Sequence, residues 1–176
     1  NNKNKIILCV ARFEKQKNHL MLLKAYKLSL EKISSKLLLV GYGSQKKFIN
    51  KFINDNNLRN RVKIITNPKD VNIFYKRANL FVLTSLYEGF GNVLVEAGKF
   101  KIPIISTNCK SGPKEILGNG KFGDLVEIGQ TKKLADLIVK NLKHPNEIKI
   151  SKMFKSLKRF NIKDHIKNYE KIFKKI

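Results

Sequence analysis

Acidic side chains are scarce in this chain: 13 Asp and Glu stand against 37 Lys and Arg, a formal net charge of +24 over 176 residues. Tryptophan is absent, and there are only four prolines, two cysteines and three histidines. Cys9 lies in an apolar run and Cys109 in a loop context, with no C-x-x-C and no histidine cluster beside either. A disulfide framework and a structural zinc site are therefore excluded. His19, His144 and His165 are far apart, so a packed or solvated role is the default for each. No D-x-D pair is present to hold a divalent ion. No apolar run approaches the roughly 18 residues of a membrane span. No secretory leader pattern is visible, and the sequence begins at Asn1 directly before its first apolar run, so a piece of a longer polypeptide is expected.

A charge of this size raises nucleic acid as a partner. The excess is almost all lysine and is spread along the chain, and no pattern of aromatic residues interleaved with arginine accompanies it. A compositional bias explains it with fewer assumptions, and no nucleic-acid partner is expected. The stretch from Lys140 to Ile176 is distinct, because Met153, Phe154, Leu157 and Phe160 recur at helical spacing among many lysines. Such a stretch packs as ordinary helices or lies on an anionic membrane surface; packing is favoured, with peripheral membrane contact as an added reading.

Short apolar runs alternate with helical periodicity throughout. Strands are expected near Ile6–Val10, Leu37–Val40, Val62–Ile65, Leu80–Leu83, Ile102–Ser106 and Asp124–Val126, which argues for a parallel α/β layer structure. Leu22, Leu23, Tyr26, Leu30 and Ile33 make one amphipathic helix. Leu134, Leu137, Ile138 and Leu142 make another, with Thr131 as its expected cap. Gly41-Tyr42-Gly43 follows a strand, but Lys46 stands where G-x-G-x-x-G needs its third glycine. A tight strand-to-helix turn is the better reading.

The densest signal is Glu88-Gly89-Phe90-Gly91-Asn92-Val93-Leu94-Val95-Glu96. The apolar run Ala78 to Ser85 before it reads as a buried strand, and Val93 to Phe100 reads as a helix. Glu88 thus stands at the carboxyl end of a strand, where open α/β sheets bind ligands. Backbone N–H groups near Gly91 and Asn92 would be unpaired helix-start donors suited to a phosphate or sugar oxygen. Glu96 can accept from two vicinal hydroxyls. Taken alone, two such glutamates are more often a turn and a solvated helix residue. Here Val10-Ala11-Arg12-Phe13-Glu14-Lys15-Gln16-Lys17-Asn18 precedes them and Ser111-Gly112-Pro113-Lys114-Glu115-Ile116 follows.

The three blocks, the middle one running from Ser85-Leu86-Tyr87 through Glu96, together resemble the donor-binding half of retaining family 4 (group 1) glycosyltransferases of the GT-B type, over roughly residues 5 to 142. The resemblance implies a Rossmann-like three-layer α/β/α domain with a parallel sheet of about six strands, one half of a GT-B fold. It implies that Arg12 and Lys17 grip the donor diphosphate, one as a planar fork and the other as a point charge. Loss of either is expected to cost about 1.5–3 kcal/mol of donor binding. Glu88 would contact hydroxyls of the transferred sugar and Glu96 the ribose, with Gly89 and the main chain of Phe90, Gly91 and Asn92 near the sugar or distal phosphate. Asn67 and Pro68, in the loop Thr66 to Asp70, would lie against the nucleobase. Ser111, Gly112 and Glu115 form a secondary part. Ser111 stands where the family often has glycine, as does Ala11, and the Thr66 to Asp70 loop lacks a glycine that many relatives carry.

By the same resemblance, residues 1–145 form the nucleotide-sugar domain and 146–176 form C-terminal helices that pack on it or cross to an N-terminal acceptor domain of the same polypeptide. No cofactor and no metal are expected, since protein cations neutralise the leaving group. The donor would be a nucleotide diphosphate sugar, with UDP-linked hexoses or N-acetylhexosamines favoured by the motif wording, and the acceptor a saccharide or lipid-linked glycan. Cytoplasmic placement follows, with the inner membrane face as the surface for any peripheral contact. A nucleotide-sugar epimerase of the same two-domain plan and a basic surface-binding module are the alternatives. The first needs His and acidic residues that the matched blocks lack.

Overall fold

The computed structural model describes residues 5–160. Six strands, β1 (Lys5–Val10), β2 (Ser35–Val40), β3 (Val62–Ile65), β4 (Leu80–Leu83), β5 (Ile104–Thr107) and β6 (Asp124–Val126), form one sheet in the order β3-β2-β1-β4-β5-β6. Every pairing is parallel. The helices between them are α1 (His19–Ser29), α2 (Lys46–Asp55), α3 (Asn72–Arg77), α4 (Asn92–Lys99), α5 (Pro113–Ile116), α6 (Thr131–Lys143) and α7 (Glu147–Ser156). The result is a Rossmann-like three-layer α/β/α domain, in which α1 packs on α6 and α4 on α7. Parallel strands need such crossovers, and helices over both faces explain why β4 and β5 are buried at all four positions.

Strand order reverses between β1 and β4, and a crevice opens beyond the carboxyl ends of strands at such a switch point. The register pairs Val10 with Val40, so the loops after β1 and β2 leave the sheet side by side. Gly41 makes that possible. Its φ is +155, and a Cβ there would lie 2.0 Å from the carbonyl oxygen of Ala11. A Cβ on Gly43 would meet Glu14 Oε1 and Phe13 O, each at 2.6 Å. The glycine pair is therefore a close-approach device between two loops, in line with the turn expected from the sequence.

Two local expectations are corrected. The strand expected at Ile102–Ser106 runs from Ile104 to Thr107, because Pro103 has no N–H to give to the ladder and only its carbonyl is used, by Phe81 N at 2.9 Å. Thr131 is not the cap of α6: Gln130 holds that position without a side-chain hydrogen bond, and the Thr131 hydroxyl lies 3.5 Å from Gly129 O. The chain reaches Thr131 through Gly129 at φ +89, and that turn carries Thr131 into the first helical position.

The described part of the C-terminal segment packs on the domain. Met153 is buried against Gly98, where a Cβ would come within 2.7 Å of the methionine Cε. Lys149 donates to Asp124 Oδ1 at 2.5 Å, and Asn141 donates to Asp124 Oδ2 at 2.8 Å. Burial works to raise the Asp124 carboxyl, but these two hydrogen bonds outweigh it and hold the group below its ordinary range. The remainder of the basic C-terminal stretch, with His165, lies outside the described residues. Among the described residues, no helix is long and apolar enough to cross a membrane.

Candidate functional site

The loops after β1 and β4 are tied together at the switch point. A 3-10 turn, Lys15–Lys17, follows β1, and Gln16 holds the β4 loop from both ends. Its carbonyl accepts from Leu86 N at 2.7 Å, and its side-chain Nε2 donates to Tyr87 O at 2.8 Å. The Thr84 hydroxyl reaches the carbonyls of Lys17 and Asn18 at 3.1 Å each, and Thr107 Oγ1 donates to Ser85 O at 2.6 Å. Asn18 accomplishes the turn into α1 with a left-handed φ of +46.

This scaffold presents a polar cluster. Lys17 Nζ and Ser85 Oγ both donate to Glu88 Oε1, each at 2.6 Å. The ion pair is mostly withdrawn from water, with side-chain exposures of 13% for Lys17 and 7% for Glu88. Two buried thiols, Cys9 and Cys109, feel the charges of this pair. Burial, opposed by Lys17, pushes Cys9 up to about 12, and burial likewise raises Cys109, so neither is a nucleophile at neutral pH.

Beside the cluster a cleft of about 440 Å3 runs across the ends of β1, β2 and β3, bounded by Arg12, Gly41, Tyr42, Asn67, Pro68 and Val93. Arg12 is exposed, and so is Tyr42. Asn67 turns the loop after β3 with φ +50, which an asparagine tolerates in place of glycine. The expected cation and the expected nucleobase loop thus share one cleft. Lys17 does not line it. Its ammonium is given to Glu88 Oε1.

Glu96 is half-buried one turn along α4 from Val93, and Tyr75 on α3 donates its hydroxyl to Glu96 Oε2 at 2.9 Å. Gly91, at φ +96, is the residue before α4, which no side chain of the described residues caps. Leu94 N is given to Gly91 O at 2.9 Å, and the N–H groups of Asn92 and Val93 before it are left to a ligand or to water. The Phe90 ring packs edge-on to Phe160 at 5.2 Å, and its carbonyl lies against Gly112.

A second depression, of about 430 Å3, is lined by Gly89, Ser111, Gly112, Lys114, Glu115 and Asn119. Gly112, at φ +62, lies so close to Phe90 that a Cβ would sit 2.0 Å from its carbonyl oxygen. Ser111 carries φ +68, a left-handed conformation for a residue with a Cβ. Nothing crowds Gly89, which has no heavy atom within 4 Å of where a Cβ would be.

Ser85 and Tyr75 carry polar contacts to the candidate carboxylates, roles that the sequence does not assign to them. Ser85 had a signal, three residues before Glu88 at the end of an apolar run. Tyr75 had none, its partner being 21 residues away on another helix. Among the described residues, no group of three His, Cys, Asp or Glu is placed to hold a metal ion.

Comparison with known proteins agrees with this fold. The chain is 37% identical over 113 residues to an uncharacterized glycosyltransferase of Methanocaldococcus jannaschii, covering 64% of this chain and 28% of that protein. It is 34% identical over 126 residues to the N-acetylgalactosamine-N,N'-diacetylbacillosaminyl-diphospho-undecaprenol 4-alpha-N-acetylgalactosaminyltransferase of Campylobacter jejuni, covering 72% of this chain and 34% of that protein. The chain thus spans about a third of the length of these relatives. Among solved structures, Anabaena HepE in complex with UDP superposes with a TM-score of 0.88 at 21% identity, over 98% of this chain and 49% of that one. The C-terminal domain of a group 1 glycosyl transferase, LpcC of Francisella tularensis, superposes with a TM-score of 0.75 at 22% identity, over 90% of this chain and 87% of that one. A family model, "Glycosyl transferases group 1", matches residues 1–164, and the chain belongs to that family.

Proposed function

We propose that this chain is the C-terminal, donor-binding domain of a retaining family 4 glycosyltransferase of the GT-B type. It would bind a nucleotide diphosphate sugar, with a UDP-linked hexose or N-acetylhexosamine favoured, for transfer to a saccharide or lipid-linked acceptor in cell-surface glycan synthesis. The observation that carries the proposal is the juxtaposition at the switch point of the Arg12 cleft, bounded by Asn67 and Pro68, with the Lys17–Glu88–Ser85 cluster. Support for the uracil base comes from HepE, solved with UDP, and support for a lipid-linked acceptor from the Campylobacter relative, whose name specifies a diphospho-undecaprenol substrate.

In this reading the nucleotide lies along the cleft, its base against Asn67-Pro68 and its ribose toward Glu96, and the diphosphate meets Arg12 and the amino-terminal end of α4. Negative charge grows on the diphosphate as the anomeric bond breaks, and cations and N–H groups already in place act most strongly at that moment. Protein groups perform this neutralisation without a metal. Lys17 becomes available to the diphosphate when a sugar hydroxyl takes its place on Glu88. Glu88 orients the sugar rather than acting as nucleophile or base. The residues that position the acceptor hydroxyl belong to an N-terminal domain, so this chain alone would bind nucleotide weakly and transfer nothing measurable.

The test is a calorimetric or thermal-shift titration with UDP, GDP and ADP, repeated on Arg12→Ala and Glu96→Ala. Stabilisation by one nucleotide, reduced about tenfold to a hundredfold in affinity by each substitution, is the expected result. Binding of any polyanion alike, collapsing with salt and indifferent to both substitutions, would instead identify a generic basic module.

A further inference from the structure

Tyr75 is 1% exposed, and its ring stacks on two others: Phe100 lies parallel to it at 5.3 Å with 3° between the planes, and Phe81 lies at 5.7 Å on a shallow angle. A ring packed in this way has almost no rotamer freedom, so the sheet and α3 fix where its hydroxyl sits. That hydroxyl is used once, as the donor to Glu96 Oε2 at 2.9 Å. Burial, followed by the neighbouring Glu96 charge and this hydrogen bond, pushes the phenol far above its ordinary value, so it remains an O–H donor at any working pH. Phenylalanine would fill the same aromatic layer. The oxygen therefore answers to the carboxylate and not to the packing.

Glu96 is half-buried, and it follows by three residues on the same face of α4 the Val93 that lines the Arg12 cleft. Left alone, a glutamate at a cleft edge samples several rotamers, and each immobilised side chain lowers affinity through lost entropy. Tyr75 removes that freedom beforehand by anchoring one carboxylate oxygen and directing the group's remaining acceptor capacity to the ligand. We propose that Tyr75 is a positioning residue for Glu96, and that the pair makes the cleft selective for nucleotides with an intact ribose diol over those without one. The inference rests on the donor-domain reading given above and deepens it. It assigns ribose selectivity to a residue that touches no substrate.

The experiment is a calorimetric titration of the full-length protein with UDP and with 2′,3′-dideoxy-UDP. Where GDP or ADP proves to be the preferred nucleotide, that pair replaces it. Wild type is expected to bind the ribonucleotide about tenfold or more tightly than its dideoxy form, since the charged acceptor then loses its partners. Tyr75→Phe is expected to shrink that ratio about fivefold while leaving dideoxynucleotide affinity unchanged. Glu96→Gln should shrink it likewise, which keeps the test decisive if Tyr75→Phe folds poorly. A merely structural tyrosine would lower the melting temperature or weaken both nucleotides equally, and an unchanged ratio in Tyr75→Phe would overturn the inference. A wild type that binds the nucleotide without regard to the diol sinks the inference while leaving the donor-domain reading intact. A wild type that binds no nucleotide sinks both.

Discussion

Lys17 Nζ donates to Glu88 Oε1 at 2.6 Å across 71 positions of sequence, joining the loop after β1 to the loop after β4. Both side chains are largely withdrawn from water, so each charge depends on the other for its solvation, and Glu88 on the Ser85 hydroxyl as well. Removing one partner of such a pair leaves the other buried and uncompensated, whereas removing both does not. Lys17→Ala and Glu88→Ala should each destabilise the fold by about 3 kcal/mol, and the double variant by less than the sum, with a coupling of roughly 1–3 kcal/mol. Urea denaturation of the four proteins measures this. Strict additivity would show that the pair is not formed in solution.

Gly112 and Gly89 stand in the same depression but under opposite constraints. An alanine at 112 would need a left-handed φ and would drive its Cβ into the Phe90 carbonyl, so Gly112→Ala should lose about 2 kcal/mol or more, through strain and a displaced loop. Gly89→Ala has open space and should stay within about 0.5 kcal/mol of wild type. Thermal melts separate the two. If Gly89→Ala nevertheless weakens binding of a nucleotide sugar, the loss reports close approach of the ligand and not a change in fold.

Ser111, at φ +68, holds a backbone conformation that costs a residue with a Cβ about 1–2 kcal/mol, of which the greater freedom of an unfolded glycine would return part. Ser111→Gly is expected to raise stability by about 0.5–1 kcal/mol, a gain of roughly 2 °C in Tm. A lower melting temperature would show that the serine hydroxyl holds the loop in some way the backbone does not reveal.

His19 is 4% exposed, packs edge-on to Phe13 at 5.1 Å, and neither ring nitrogen has a hydrogen-bond partner among the described residues. Burial, assisted by the Lys17 charge, lowers its pKa from 6.5 to about 4. Above pH 6.5 the ring is neutral folded or unfolded and contributes no pH dependence. Below that, the unfolded chain binds a proton that the folded chain does not, so stability falls between about pH 6.5 and pH 4, by at most about 3 kcal/mol. The stability difference between wild type and His19→Leu should therefore move by roughly 2–3 kcal/mol in favour of the leucine variant between pH 7 and pH 4.5, read by urea denaturation. A difference that does not change with pH would mean that the folded ring titrates normally.

Much of the architecture was legible because its causes are local. The runs Ile6–Val10, Leu37–Val40, Val62–Ile65, Leu80–Leu83 and Asp124–Val126 recur within β1, β2, β3, β4 and β6, since uninterrupted apolar runs between helical repeats suit a doubly covered parallel sheet. The exceptions are equally local: Pro103 delayed β5, and the Gly129 turn took the capping position from Thr131. Arg12, Glu88 and Glu96 were legible as candidates because arginine and glutamate are rare in a lysine-rich chain.

What the sequence determined by itself is which side chains are available at the ends of which strands. The tertiary structure decided which of them meet. It gave Lys17 to Glu88 and left Arg12 in the neighbouring cleft, it gave the Tyr75 hydroxyl to Glu96, and it brought Gly112 against the Phe90 carbonyl. Periodicity reports on neighbours three or four positions apart, whereas these contacts join different loops and helices. The strand order β3-β2-β1-β4-β5-β6 sets the loop after β4 between those after β1 and β5, which is where Lys17 meets Glu88 and Gly112 meets Phe90.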